Sequence, residues 1–166
     1  MALYRFRLQS HLSTQAVLEA VRKLTRERPG FWQSLKESFA SRPDGSPPFI
    51  GTVEGNEFTL YRDIRYRNSF LPRIKGYVGS DSGSTQVDVV MSLHPFVLLF
   101  MLFWLGGVGY AAFAILNKGM TAEAAIPLGM FLFGVALTLG GFYPEAIKAR
   151  RLLEQHIGQI SASPMR

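Results

Sequence analysis

The chain holds three histidines, His11, His94 and His156, and no cysteine. None of the histidines stands in H-E-x-x-H or any other close ligand spacing, so no metal site is expected. Without cysteine, disulfides, thiol nucleophiles, Cys-ligated zinc and iron–sulfur clusters are excluded. No G-x-S-x-G places a serine on a nucleophile elbow. No G-x-x-x-x-G-K-[ST] or helix-opening G-x-G-x-x-G offers a phosphate cradle. Gly106-Gly107-Val108-Gly109 is glycine-rich but lies inside a long apolar run. Asp63, Asp81 and Asp88 would make an acid–base pair only if the fold brought them together. The expectation is a protein without catalytic residues, cofactor or metal.

One constellation has chemical content. Arg62, Arg65, Arg67, Arg73 and Lys75 fall within 14 residues, interleaved with Tyr61 and Tyr77. Such residues bind anions. On alternating strands, Arg65, Arg67, Arg73 and Lys75 share the face opposite the apolar one. That face is either solvated or a contact for lipid headgroups or a protein partner. Anionic lipid is worth about 1 kcal/mol per basic residue near the surface. Nucleic acid would use the same residue types, but a nearby bilayer makes it the least expected partner.

The bilayer enters through the apolar residues. Of 166 residues 48% are hydrophobic and 18% charged, yet the formal net charge is +6. Phe96 to Leu116 is 21 residues without a charge, and Ala124 to Tyr143 is 20. A bilayer core of ~30 Å needs roughly 20 helical residues, so both runs are long enough to cross. The polar turn 117–123 between them predicts a transmembrane helical hairpin. Two buried helices of a soluble core are the alternative, but such stretches run only ~10–14 residues. No ionisable side chain lies inside either run, which argues against a proton relay or ion pathway. Gly107-xxx-Ala111 and Ala136-xxx-Gly140 permit close helix approach, within the hairpin or in a homo-oligomer.

Lys and Arg set the orientation. Thirteen of the 18 precede residue 95, four follow residue 143, and Lys118 alone lies in the turn. Positive charge stays inside, so both termini are expected in the cytoplasm and the turn outside, in a bacterial inner membrane. The opening MALYRFRLQS has no apolar core of a signal peptide, which leaves the first span as the insertion signal.

The flanking regions read as an α+β unit. Leu3 to Leu8 alternates as a half-buried strand. Ser13 or Thr14 caps a helix carrying Val17, Val21 and Leu24, which Pro29-Gly30 ends. Phe31 to Phe39 is a second amphipathic helix. Strands follow over Phe49–Val53, Glu57–Arg67, Phe70–Val78 and Thr85–Leu93, making five in all, the last four an antiparallel meander. Beyond the hairpin, Pro144 to Ile157 predicts a separate amphipathic helix. Its apolar stripe is Ala146, Ala149, Leu153 and Ile157, with Lys148, Arg150 and Arg151 facing water or headgroups. The expected organisation is a cytoplasmic α+β region over 1–94, a hairpin over 95–143 and a C-terminal helix over 144–166 packing on the first region.

The stretch from Phe49 to Phe100 carries F-x-G-x-V at 49–53, Y-R-N-S-F-x-P at 66–72 and L-H-P-F at 93–96. It resembles a group of uncharacterised bacterial membrane proteins, which implies location and architecture but no activity. The element order is similar to the helix-grip fold of START-like lipid-binding domains. It departs from that pattern in having five strands for the usual seven and a hairpin before the last helix. Two functions compete: a hairpin-anchored module that meets a partner or anionic lipid, and a tethered domain that binds a lipid or other apolar ligand in a cavity.

Overall fold

The computed structural model describes residues 2–27, 46–64, 66–81, 83–119 and 122–157. Strand β1 (Tyr4–Ser10) leads into helix α1 (Thr14–Lys23), and β2 (Thr25–Arg26) follows directly. Strands β3 (Phe49–Glu54), β4 (Glu57–Arg62), β5 (Arg73–Asp81) and β6 (Ser84–Ser92) come next. Two long helices complete the fold, α2 (Pro95–Leu116) and α3 (Ala125–Ile157). The architecture is α+β, with one six-stranded sheet in the order β1-β6-β5-β4-β3-β2. The sheet has one strand more than the sequence suggested. The expected helix at Phe31–Phe39 and the Pro29-Gly30 stop lie outside the described residues.

The extra strand has a local cause. Ser13 caps α1 as expected, its side chain accepting from the Ala16 amide at 3.3 Å. The helix stops at Lys23 because tertiary pairing takes over. The Phe49 amide donates to the Leu24 carbonyl, and Thr25 and Arg26 pair in parallel with Phe49 and Ile50. The meander β3 to β6 is antiparallel throughout, and β1 adds to β6 with Phe6 opposite Val89 and Leu8 opposite Val87. Alternation then sends one set of side chains to each face. Phe6, Leu8, Phe58, Leu60, Ile74, Val78, Val87, Val89 and Met91 are buried on one of them. Gly76 lets β5 pass over Phe58, because a Cβ there would lie 1.9 Å from the Phe58 ring.

Two predicted strands are displaced. β4 ends at Arg62 rather than Arg67, and β5 begins at Arg73 rather than Phe70. Between them Tyr66, Asn68 and Phe70 turn away from the sheet toward α3. Asn68 nucleates that turn, accepting from the Phe70 amide through Oδ1 at 2.9 Å.

The helices correct one further expectation. The second apolar run and the C-terminal segment form a single helix of 33 residues with Pro144 inside it. Proline lacks the N–H that the Gly140 carbonyl needs, and an interior proline costs about 3 kcal/mol or more. Packing offsets that. Phe142, Ala146, Ala149, Leu153 and Ile157 are all fully buried in the core with the sheet and α1. The predicted stripe is therefore the inner face of α3's second half. The first half of α3 and all of α2 are mostly exposed. Their most apolar windows have mean hydropathy 1.9 and 2.0 with 11% buried, so both helices are long and apolar enough to cross a membrane. They meet at Gly134, beneath Leu105 and Met101.

Candidate functional site

The distinctive chemistry lies where α3 passes from its apolar half into the core. Glu145 follows Pro144 directly, and its carboxylate side chain is only 3% exposed. Three groups converge on it. Arg62 at the end of β4 donates from Nη1 to Oε2, and the Tyr66 hydroxyl donates to Oε1. Lys148, one turn on, donates to Oε1 at 3.2 Å. Burial pushes the Glu145 carboxyl upward. The hydrogen bonds from Tyr66 and Lys148 and the charge of Arg62 outweigh it and hold the group below its ordinary value. The Tyr66 hydroxyl is shifted upward, chiefly by its hydrogen bond to Glu145.

A second contact braces the helix on the other side of Pro144. Asn68 donates from Nδ2 to the Gly141 carbonyl at 2.8 Å. The Phe70 ring lies against the same residue, and a Cβ at Gly141 would come within 2.9 Å of it. Glycine at 141 thus admits the segment 66–70 to the helix surface. The two contacts flank the proline, at 141 and 145, and splint the position where the helix ladder is interrupted.

The predicted basic face is only partly assembled. Arg73 and Lys75 do share one face of β5, with Tyr77 beside them. Lys75 stands between Thr59 on β4 and Val90 on β6. On the same face Arg7 pairs with Asp88 at 2.7 Å. Arg67 is not on that face, because β4 has ended and the chain has turned to α3. Arg65 lies outside the described residues. Arg62 is turned inward to Glu145.

The other candidates separate as well. Asp63 pairs with Arg26 and Asp88 with Arg7, so neither is a free acid. His94 caps α2, its Nδ1 accepting from the Phe96 amide at 3.3 Å. Among the described residues no group of three metal-binding side chains occurs. Arg150 does not face water as expected. It lies over the Phe6 ring, donates to the Tyr4 hydroxyl at 2.8 Å and pairs with Glu154. No family model, curated protein or solved structure matches the chain. The two resemblances therefore rest on the quoted residues and element order.

The Tyr66–Asn68–Glu145 cluster escaped the sequence reading. Its signal was present. Glu145 is the first charge after 21 uncharged residues, the last of them a proline. Reading Pro144-Glu145 as a helix start hid the need for partners.

Beside the splint, an open groove of about 620 Å³ runs along the apolar half of α3. Its rim carries Arg67 and Ser69, and its floor includes Phe133, Ala136, Leu137 and Gly140.

Proposed function

We propose that this chain is a non-enzymatic integral membrane protein whose hairpin anchors an α+β module at the cytoplasmic face of a bacterial inner membrane. The module presents its basic surfaces to a protein partner or to anionic lipid. The supporting observation is the continuity of α3. One helix runs from exposed apolar surface, apt for lipid, into the buried core of the sheet, and the splint at Pro144 holds the two halves together. The excess of Lys and Arg outside the hairpin supports the orientation. The competing reading, an apolar ligand between sheet and helices, has less behind it. Phe6, Phe49, Phe58 and Phe142 occupy that space as one buried cluster.

The absence of cysteine gives a clean test. Lys118→Cys and Lys75→Cys are each made in the full chain and exposed to a membrane-impermeant maleimide in intact spheroplasts. The expected result is labelling of the first without lysis and of the second only after lysis. Equal labelling of both, or release of the chain from membranes by alkaline carbonate, would refute the reading.

A further inference from the structure

We infer that the groove beside the splint is a site for one anionic phospholipid, its phosphate on Arg67 and an acyl chain along Phe133, Ala136, Leu137 and Gly140. This rests on the proposed membrane reading and gives it a ligand. The floor residues recur at i, i+3, i+4 and i+7, so they form one stripe of α3 about 10 Å long. Ala136 and Gly140, the two small residues of that stripe, make the depression beside Phe133 and Leu137. No charged side chain occurs in this half of the helix, so the groove suits a hydrocarbon chain. Its open end is different. Ser69 and Arg67 stand there on the loop that Asn68 ties to Gly141, one turn before Pro144.

Arg67 is exposed, and among the described residues its guanidinium has no carboxylate partner. That sets it apart from Arg7, Arg62 and Arg150, each of which is paired. Any anion that Arg67 binds therefore comes from outside the described residues. A second copy is a poor source. Glu123 is the one acid in residues 95–143, and it lies at the far end of the hairpin. Glu145 is closer in depth but is enclosed by its own partners. A lipid phosphate sits at the depth where an apolar helix half gives way to charge, and a guanidinium binds it with two parallel hydrogen bonds.

The test uses the full chain reconstituted in phosphatidylcholine nanodiscs containing a minority of phosphatidylglycerol, with retained lipid counted by native mass spectrometry. Three variants are compared. Arg67→Gln removes the charge. Gly140→Leu fills the floor, where a Cβ meets nothing within 4 Å and the helix gains propensity. Lys23→Gln removes an exposed charge from the last turn of α1, outside the basic constellation and the groove. The wild type is expected to retain one phosphatidylglycerol per protomer. Arg67→Gln should lower that retention about fivefold, Gly140→Leu should abolish it, and Lys23→Gln should leave it unchanged. Retention that survives both Arg67→Gln and Gly140→Leu overturns the site. So does a protomer pair that Gly140→Leu dissociates, which would seat a second copy in the groove. A wild type that inserts but carries no phosphatidylglycerol overturns the lipid site alone. A wild type that fails to enter the nanodisc overturns the membrane reading beneath it.

Discussion

The two halves of α3 share one backbone and differ in what surrounds them. Before Pro144, Ile126, Leu132 and Phe133 are each more than half exposed. After it, Ala146, Ala149, Leu153 and Ile157 are fully buried, though they are on average smaller and no more apolar. The hydrophobicity of the individual apolar residues does not separate the halves. Period does: the first half is apolar all round, and the second alternates a buried stripe with Lys148, Arg151 and other polar residues. A helix apolar on every side needs an apolar solvent, whereas a striped one needs a single packed partner.

The sharpest way to break this contrast is a pair of aromatic truncations. Phe142→Ala removes a fully buried ring from the core and is expected to cost about 3–5 kcal/mol. Phe133→Ala, on an exposed ring, should change stability by no more than about 0.5 kcal/mol. Unfolding monitored by hydrogen exchange in detergent micelles measures both, and similar losses would erase the distinction between the halves.

The junction itself comes next in size. Glu145→Ala leaves the largely buried Arg62 guanidinium without its carboxylate, and a loss of about 2–3 kcal/mol is expected. Arg62 keeps some exposure, which places the figure below that of a wholly buried pair. Glu145→Gln keeps the hydrogen-bonding shape and should cost less. The same group gives the contrast a pH dependence. Because its folded pKa lies below the ordinary 4.5, its contribution is complete above that value. It is lost as pH falls through the folded pKa. A stability profile that is steeper in wild type than in Glu145→Gln below the ordinary value is the expected signature, and parallel profiles would deny Glu145 that role.

The smallest effect concerns the other side of the proline. Asn68→Ala removes the donor to Gly141 and the turn that starts β5's approach, and should cost about 1 kcal/mol. Faster amide exchange in residues 141–145, with the sheet unaffected, would place the loss at the splint. Uniform acceleration across the sheet would count against it.

Much of this fold was legible in local pattern. The alternation of Phe58 and Leu60, the cap at Ser13 and the stripe Ala146 to Ile157 each announce a buried face without knowledge of its partner. What was not legible depends on distant residues. β2 exists because Phe49 pairs with Leu24 and Thr25 across the sheet, and Thr25-Arg26 alone carries no strand period. Tyr66 continues the alternation of β4 perfectly well on paper, so pattern keeps it in the strand. Its real position is decided by Glu145, 79 residues away. The position of Arg67 within the basic constellation was hidden in the same way. Arg67, Arg73 and Lys75 share a parity in sequence, but parity assigns a face only while the strand continues. Pro144 misled for another reason: a proline after an apolar run reads as a boundary, and only the packing on either side allows the helix to pass through it.

The unbroken run of α3 also has a mechanical meaning. At 1.5 Å per residue its 33 residues make a shaft of about 50 Å, stiffened at its weakest joint from both sides. A spanning helix adjusts to bilayer thickness by tilting. Pivoting at Pro144, a tilt of about 10° would carry the far end at Ile157 through about 3 Å. The sheet is fastened to that end, where Ser10 bonds the Ile157 carbonyl. In the membrane orientation proposed for this chain, the sheet must swing with the shaft, and the angle at which its surfaces meet their surroundings becomes a function of membrane thickness.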